Sequence, residues 1–125
     1  MKLDRDCVRD LLLFVESLDH GQIVQSDDLS NIPALASHSS EAINYTVEKL
    51  DEAGYLNVQF MRVLGGEDPF FIKSITWDGH QFLDNIRDDG IWKETKKVTS
   101  KVASVSVGIL TDVAASVMKK TLGLE

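Results

Sequence analysis

An alternating segment sets the first limit on how this chain can fold. Leu56, Val58 and Phe60 recur at a period of two, which is the pattern of a strand with one buried face. A glycine pair at 65–66 follows, and the segment after it is apolar and β-branched. Two strand patterns separated by turn residues predict an antiparallel β-hairpin. Its strands are expected over residues 55–63 and 70–76.

Helix patterns flank this hairpin. Ile43, Val47 and Leu50 recur at helical spacing after two serines that can cap a first turn. After the hairpin, Thr76 or Asp78 can cap another helix. A third apolar stripe lies near the N-terminus and ends at a glycine. The predicted helices span residues 5–19, 40–53 and 77–89.

The stretch between the first two helices has a weaker pattern. Residues 22–25 fit a short third strand of the same sheet. Asp, Ser, Asn and Pro break any period over residues 26–38, which we expect to be irregular. One helical turn could pack against the core there through Leu29, Ile32 and Leu35.

This order of elements predicts an α+β fold of the winged helix-turn-helix class for residues 1–90. In that class the helix before the hairpin is the recognition helix, and the hairpin loop is the wing. The helix over residues 40–53 and the loop at Gly65-Gly66 are expected to take these two places.

Residues 91–125 differ in pattern and form a predicted C-terminal extension. Valine and isoleucine recur there at steps of four and three, which favours one amphipathic helix of about 25 residues. A strand is the competing interpretation, because Val105-Ser106-Val107 alternates and valine is a poor helix former. A long apolar stripe needs a covering surface, and we expect a homodimer. The predicted dimer contacts are Val98, Val102, Val105, Ile109 and Val113.

Charge is unevenly distributed along the chain. Residues 1–90 carry seven Lys and Arg against seventeen Asp and Glu, a net charge of −10. Residues 91–125 carry six Lys against three acidic residues, a net charge of +3. A domain with so negative a charge repels phosphate, whereas proteins that bind nucleic acid usually carry a basic patch.

We expect a single domain located in the cytoplasm. The chain has 125 residues, of which 43% are hydrophobic and 26% are charged. A lone cysteine excludes an internal disulfide, and the first six residues lack the apolar core of a signal peptide. No apolar run is long enough for a membrane span.

Three blocks of sequence resemble a known family. They are Leu50-Asp51-Glu52-Ala53-Gly54-Tyr55-Leu56, the N-terminal run of residues 2–10, and Ile75-Thr76-Trp77-Asp78-Gly79-His80-Gln81-Phe82-Leu83 with its continuation to Ile91-Trp92. Together they are similar to the prophage-associated family called domain of unknown function 2513. The resemblance implies a small bacterial or phage protein with a winged-helix-like fold. It brings no catalytic or binding residues with it.

No set of residues indicates a catalytic, cofactor or metal site. Cys7 lies on the apolar side of the first helix, which is typical of a structural thiol. His80 and Asp84 are one helical turn apart, and such a pair arises easily by chance. The glycine pair lacks the Lys-Ser/Thr sequence of a phosphate-binding loop. We therefore expect no enzyme activity, no cofactor and no small-molecule substrate.

The fold class still invites a DNA-binding hypothesis. Asn44 could read adenine in the major groove, and the wing could contact phosphates through Arg62 and Lys73. The outward face of the same helix carries several carboxylates beside Tyr45 and Lys49, which opposes such binding.

We therefore favour a protein-interaction module and keep a DNA-binding transcriptional regulator as the alternative. An acidic domain of this kind could also occupy the basic site of a host protein. A membrane-surface role for the last helix is a third interpretation, but its polar face is mostly Ser and Thr.

Overall fold

The described residues form an α+β fold with five α-helices, two 3₁₀ helices and a small antiparallel sheet. The structure is a computed structural model that describes residues 1–124. The elements within these residues are α1 (Arg5–Glu16), β1 (Val24–Gln25), 3₁₀ helices at Ser26–Asn31 and Pro33–Leu35, α2 (Ser40–Glu52), β2 (Leu56–Phe60), β3 (Phe70–Ile75), α3 (Trp77–Ile86), α4 (Asp89–Thr99) and α5 (Val107–Thr121).

The sheet has the strand order β1-β3-β2, with both pairs antiparallel. Phe60 lies opposite Phe70 in the register, and Val24 lies opposite Ile72. The loop between β2 and β3, residues 61–69, turns in solvent at Gly65, whose φ of 79° is readily adopted only by glycine. The predicted hairpin and its short third strand are confirmed.

Helix caps explain why α2 and α3 begin where they do. The Ser39 hydroxyl accepts a hydrogen bond from the backbone N–H of Ala42, and the Thr76 hydroxyl accepts one from Gly79. Thr76 also donates its hydroxyl proton to the carbonyl of Gly54, at 2.6 Å. The start of α3 is therefore fixed against the turn that precedes β2.

The core lies where α1, α2 and α3 meet one face of the sheet. The fully buried side chains there include Leu11, Leu50, Ile72, Phe82 and Ile86. Residues 26–38 contribute as well, because Leu29 and Leu35 are almost completely buried. This stretch forms two 3₁₀ helices rather than the single turn expected. Ile32 separates them in an extended conformation, which is the one favoured before a proline.

The prediction of one helix of about 25 residues at the C-terminus is wrong. Helices α4 and α5 are separate, and residues 100–106 between them are not helical. The Ser106 hydroxyl accepts a hydrogen bond from the N–H of Ile109 at 3.1 Å, which starts a new helix. The apolar residues keep helical spacing across this break. Spacing alone therefore could not show that Ser106 caps a second helix.

The buried faces of α4 and α5 also differ from the predicted stripe. Helix α4 buries Ile91 and Trp92, whereas α5 buries Leu110 and Ala114. Trp92, Leu110 and Ala114 belong to the same core cluster as the residues of α1 to α3. The division of the chain at residue 90 stays a prediction. Among residues 1–124, no helix is both long and apolar enough to cross a bilayer.

Candidate functional site

A groove of about 640 Å³ lies between α2 and the loop of residues 61–69. We call it the α2–loop groove. One wall is the outward side of α2, the floor is formed by two facing phenylalanines of β2 and β3, and the loop closes the other side. Its lining residues are Met1, Glu41, Asn44, Tyr45, Glu48, Asp51, Glu52, Phe60, Arg62, Glu67, Asp68 and Phe70.

Local sequence places these residues by simple periodicity. Helix α2 buries Ile43, Thr46, Val47 and Leu50, whereas Asn44, Tyr45 and Glu48 lie on its outward side and line the groove. On the sheet side, Phe60 and Phe70 are cross-strand partners whose ring centroids lie 5.5 Å apart. Phe70 is 3% exposed and Phe60 is 38% exposed. The floor therefore presents one accessible aromatic ring that is supported by a buried one.

The lining is strongly acidic. Arg62 faces six carboxylates, which belong to four residues of α2 and to Glu67 and Asp68 of the loop. Burial of its carboxyl group, followed by the charge of Glu52, raises the pKa of Asp51. A cation that entered the groove would relieve this repulsion between like charges.

The nearest lysine on α2 is already paired. Lys49 Nζ lies 2.8 Å from a carboxylate oxygen of Glu52 and 5.4 Å from the ring centroid of Tyr45. The hydrogen bond with Glu52 raises the pKa of Lys49. This lysine neutralises part of the acidic wall and is directed along the helix surface.

A hydrogen bond joins the two walls. The Asn44 amide donates to a carboxylate oxygen of Glu67 at 3.2 Å. Asp68 accepts a hydrogen bond from the backbone N–H of Val63 at 3.0 Å, which shapes the loop itself. The Asn44 side chain would have to break this hydrogen bond with Glu67 before it could contact a nucleic-acid base.

The five contact residues predicted from the sequence do not all meet. Asn44, Tyr45 and Arg62 line the α2–loop groove. Lys49 lines an adjoining depression that also contains Tyr45. Lys73 is exposed in β3 and lines a separate depression with Asp51. The groove therefore joins three of the five.

The predicted dimer contacts are dispersed by the break between α4 and α5. Val98 and Val113 are half-buried, and Val105 packs partly against the core. Val102 and Ile109 are 57% and 52% exposed. They do not form the single stripe that was expected, and self-association through them stays a prediction.

The aromatic floor and the acidic loop end were missed at the level of sequence. Phe60 was assigned to the buried face of β2, but the end of that strand extends beyond the core. Glu67 and Asp68 follow the glycine pair directly, so their position on the hairpin loop could have been inferred. Leu64, between the floor and the turn, is fully exposed.

Cys7 and the His38–Asp10 pair are held in structural contacts. Burial raises the pKa of the Cys7 thiol, which lies inside the core. His38 Nε2 lies 2.7 Å from Asp10 Oδ2 and ties the connection between the second 3₁₀ helix and α2 to α1. In the part of the chain that the structure describes, no three His, Cys, Asp or Glu residues are grouped to hold a metal ion. The absence of enzyme activity stays a prediction.

These features define an α+β protein with a three-stranded antiparallel sheet and an acidic groove. The sequence profile of a family of hypothetical proteins, domain of unknown function 2513, matches residues 2–106, and this chain belongs to that family. The resemblance carried by the sequence blocks is thereby confirmed. An uncharacterised protein of Haemophilus influenzae is 28% identical over 123 residues, which are 98% of this chain and 99% of the relative. No solved structure matches the chain. These names state no activity, ligand or partner.

Proposed function

We propose that this protein is a non-enzymatic, cytoplasmic protein-interaction module built on a winged-helix scaffold. In this proposal the α2–loop groove binds a positively charged surface of a partner protein. A prophage-associated origin remains part of the proposal, because the sequence resemblance suggests it.

The order of the elements supports the winged-helix assignment. Helix α1, strand β1, a short helical segment, helix α2 and the β2–β3 hairpin follow one another as in that class. Helix α2 then corresponds to the recognition helix, and the loop of residues 61–69 corresponds to the wing. In this assignment, the α2–loop groove takes the position at which DNA-binding members of the class approach the duplex.

The observation that carries the proposal is the charge at this place. A protein that binds DNA gains most of its nonspecific affinity by neutralising about six to ten phosphates with Lys and Arg. The groove instead offers six carboxylates against Arg62. Lys49 is paired with Glu52, so this pair adds no net charge, and five other carboxylates remain against Arg62. A cationic protein surface is the macromolecular partner that such a lining attracts.

The alternative is a DNA-binding transcriptional regulator. It is favoured by the element order and by exposed Arg62 and Lys73 on the hairpin. It would require a phosphate backbone to approach residues 1–90, whose net charge is −10. The charge disfavours this alternative more strongly than the fold supports it.

The test uses a groove variant and a matched control. The groove variant is Glu41→Gln/Glu48→Gln/Glu52→Gln, and the control is Asp19→Asn/Glu94→Gln/Asp112→Asn, whose three positions are exposed and lie outside the groove lining. Tagged wild-type protein should retain a partner from its native host at about 0.1 M salt. The control should retain the same partner, and the groove variant should lose it. Retardation of random duplex DNA by the wild type at the same salt concentration would overturn the proposal.

A further inference from the structure

The chemistry of the groove narrows the kind of partner, if the function proposed above holds. We infer that the α2–loop groove binds a basic amphipathic helix of another protein, whose apolar stripe covers Phe60 and whose flanking Lys or Arg residues meet the carboxylates on both sides. Two independent properties of the groove support this inference, namely its aromatic floor and the spacing of its acidic wall.

The floor requires an apolar side chain. Phe60 is 38% exposed although its partner ring, Phe70, is buried. Burying apolar surface contributes about 25 cal/mol per Å², so an accessible ring at the bottom of a groove favours an aliphatic or aromatic anchor. A phosphate chain or a small hydrated cation would leave this ring uncovered and would gain nothing from it.

The acidic wall has helical spacing. Glu41, Glu48 and Glu52 are separated by seven and four residues along α2, which correspond to axial distances of about 10.5 and 6 Å. Positions separated by seven and four residues on a partner helix again share one face. In an extended segment, about 10.5 Å corresponds to three residues, and an odd step turns the side chain to the opposite face. A helix therefore matches this row better than a strand does.

Carboxylates on the opposite side complete the match. Glu67 and Asp68 lie at the end of the loop, so negative charge borders the aromatic floor on both sides. A basic amphipathic helix carries cations on both edges of its apolar stripe, which is the complementary arrangement. The volume of about 640 Å³ is in the range of pockets that hold a drug-sized molecule, so the groove has room for the anchoring side chains of a helix that lies across the opening.

A designed peptide probes this inference with the full chain. The probe is an amidated, labelled peptide of about 18 residues, or five helical turns, with Leu on one face and Lys on both edges. The comparison peptide has the same composition in a scrambled order that forms no apolar stripe. Fluorescence anisotropy at about 0.1 M salt measures both affinities. We expect the amphipathic peptide to bind about tenfold more tightly than the scrambled one.

Variants of the protein test whether the amphipathic peptide binds in the α2–loop groove. Glu41→Gln/Glu48→Gln/Glu52→Gln should weaken the amphipathic peptide about tenfold, and Phe60→Ala should weaken it to a similar degree. Asp19→Asn/Glu94→Gln/Asp112→Asn should leave its affinity within about twofold of the wild type. Circular dichroism checks that each variant folds. If Phe60→Ala does not fold, the carboxylate variants decide alone.

Several outcomes would overturn the inference of a basic amphipathic helix but would not refute the proposed function. They are equal affinity for the two peptides, equal weakening by the groove and control variants, and no binding up to about 1 mM. Self-association of the wild type that the groove variant abolishes would also overturn it, because the occupant would then be a second copy of this chain. The proposed function would be refuted by a different result, namely binding of duplex DNA by the wild type.

Discussion

Replacing Gly79 with alanine should destabilise the protein because the first turn of α3 lies against the backbone of residue 55. A Cβ at this position would lie 2.2 Å from the Tyr55 carbonyl oxygen and 2.7 Å from Ile75 Cγ2. Real Cβ atoms do not approach a backbone oxygen so closely, and the oxygen cannot move away as a flexible side chain could. Helix α3 must therefore shift away from the start of β2.

The size of the effect follows from three contributions. Alanine in a helix is favoured over glycine by about 1 kcal/mol. Overpacking in a fixed environment costs about 1–3 kcal/mol. A shift of α3 also strains two hydrogen bonds, from Thr76 N–H to Tyr55 O at 3.1 Å and from the Thr76 hydroxyl to Gly54 O, each of which contributes about 0.5–1.5 kcal/mol. The net expectation is a loss of about 2 kcal/mol in the free energy of unfolding.

Gly108 provides the matched control. It lies in the first turn of α5, is exposed, and a Cβ there would meet only the Ser106 hydroxyl at 3.8 Å. Gly108→Ala should therefore stabilise the protein by up to about 1 kcal/mol. Urea unfolding followed by circular dichroism measures both variants, and the m-value should stay constant. If Gly79→Ala were as stable as the wild type, the close packing of α3 on the turn before β2 would be refuted.

Three further variants test other parts of the account. Glu16→Gln should lower stability by about 0.2–1 kcal/mol at pH 7, because hydrogen bonds from Arg87 lower the pKa of Glu16. A lowered folded-state pKa means that this contribution is fully present above the unfolded-state pKa of Glu16, which is about 4.3, and is lost as the pH falls through the lowered folded-state pKa. Urea titrations of variant and wild type should therefore converge on acidification, and a difference that stays constant with pH would contradict the pairing. Ser106→Ala removes the cap of α5 and should cost about 1 kcal/mol in thermal unfolding, whereas no loss would favour a continuous helix. Leu110→Ala should cost about 2–5 kcal/mol because this side chain is fully buried in the common core, and a loss below 1 kcal/mol would remove α5 from that core.

Much of residues 40–88 could be predicted because local chemistry and global packing agree there. The serine cap and the apolar stripe specify a helix, the period-two pattern specifies a strand, and the glycine at positive φ specifies a turn. In each case the packing of the folded protein uses the element that the local sequence favours. The alternation of Leu56 and Val58 also identified the face of β2 that turns to the helices.

The C-terminal helices could not be predicted because several helical stripes can be drawn through the same residues. Val102, Ile109 and Val113 have helical spacing, but packing selected Leu110 and Ala114 instead. Which face is buried depends on the direction in which α5 returns to α3. The loop after Ser100, which the spacing does not reveal, sets that direction.

The groove was predictable only in part, for a related reason. The outward positions of α2 follow from its periodicity, so the sequence predicted that Asn44 and Tyr45 lie on the outward side of this helix, where they line the groove. Their role as contact residues stays a prediction. The bridge from Asn44 to Glu67 and the pairing of Phe60 with Phe70 join residues that are distant in sequence. Neither contact can be inferred without the register of the hairpin.

Salt-dependent binding of labelled duplex DNA tests the central claim most directly. A random duplex of about two helical turns is titrated with the full chain between about 0.05 and 0.2 M salt, beside the amphipathic peptide. The acidic α2–loop groove predicts no DNA binding at about 0.1 M salt and clear binding of the peptide. Micromolar binding of DNA that weakens with salt and is lost in Arg62→Ala/Lys73→Ala would contradict the account.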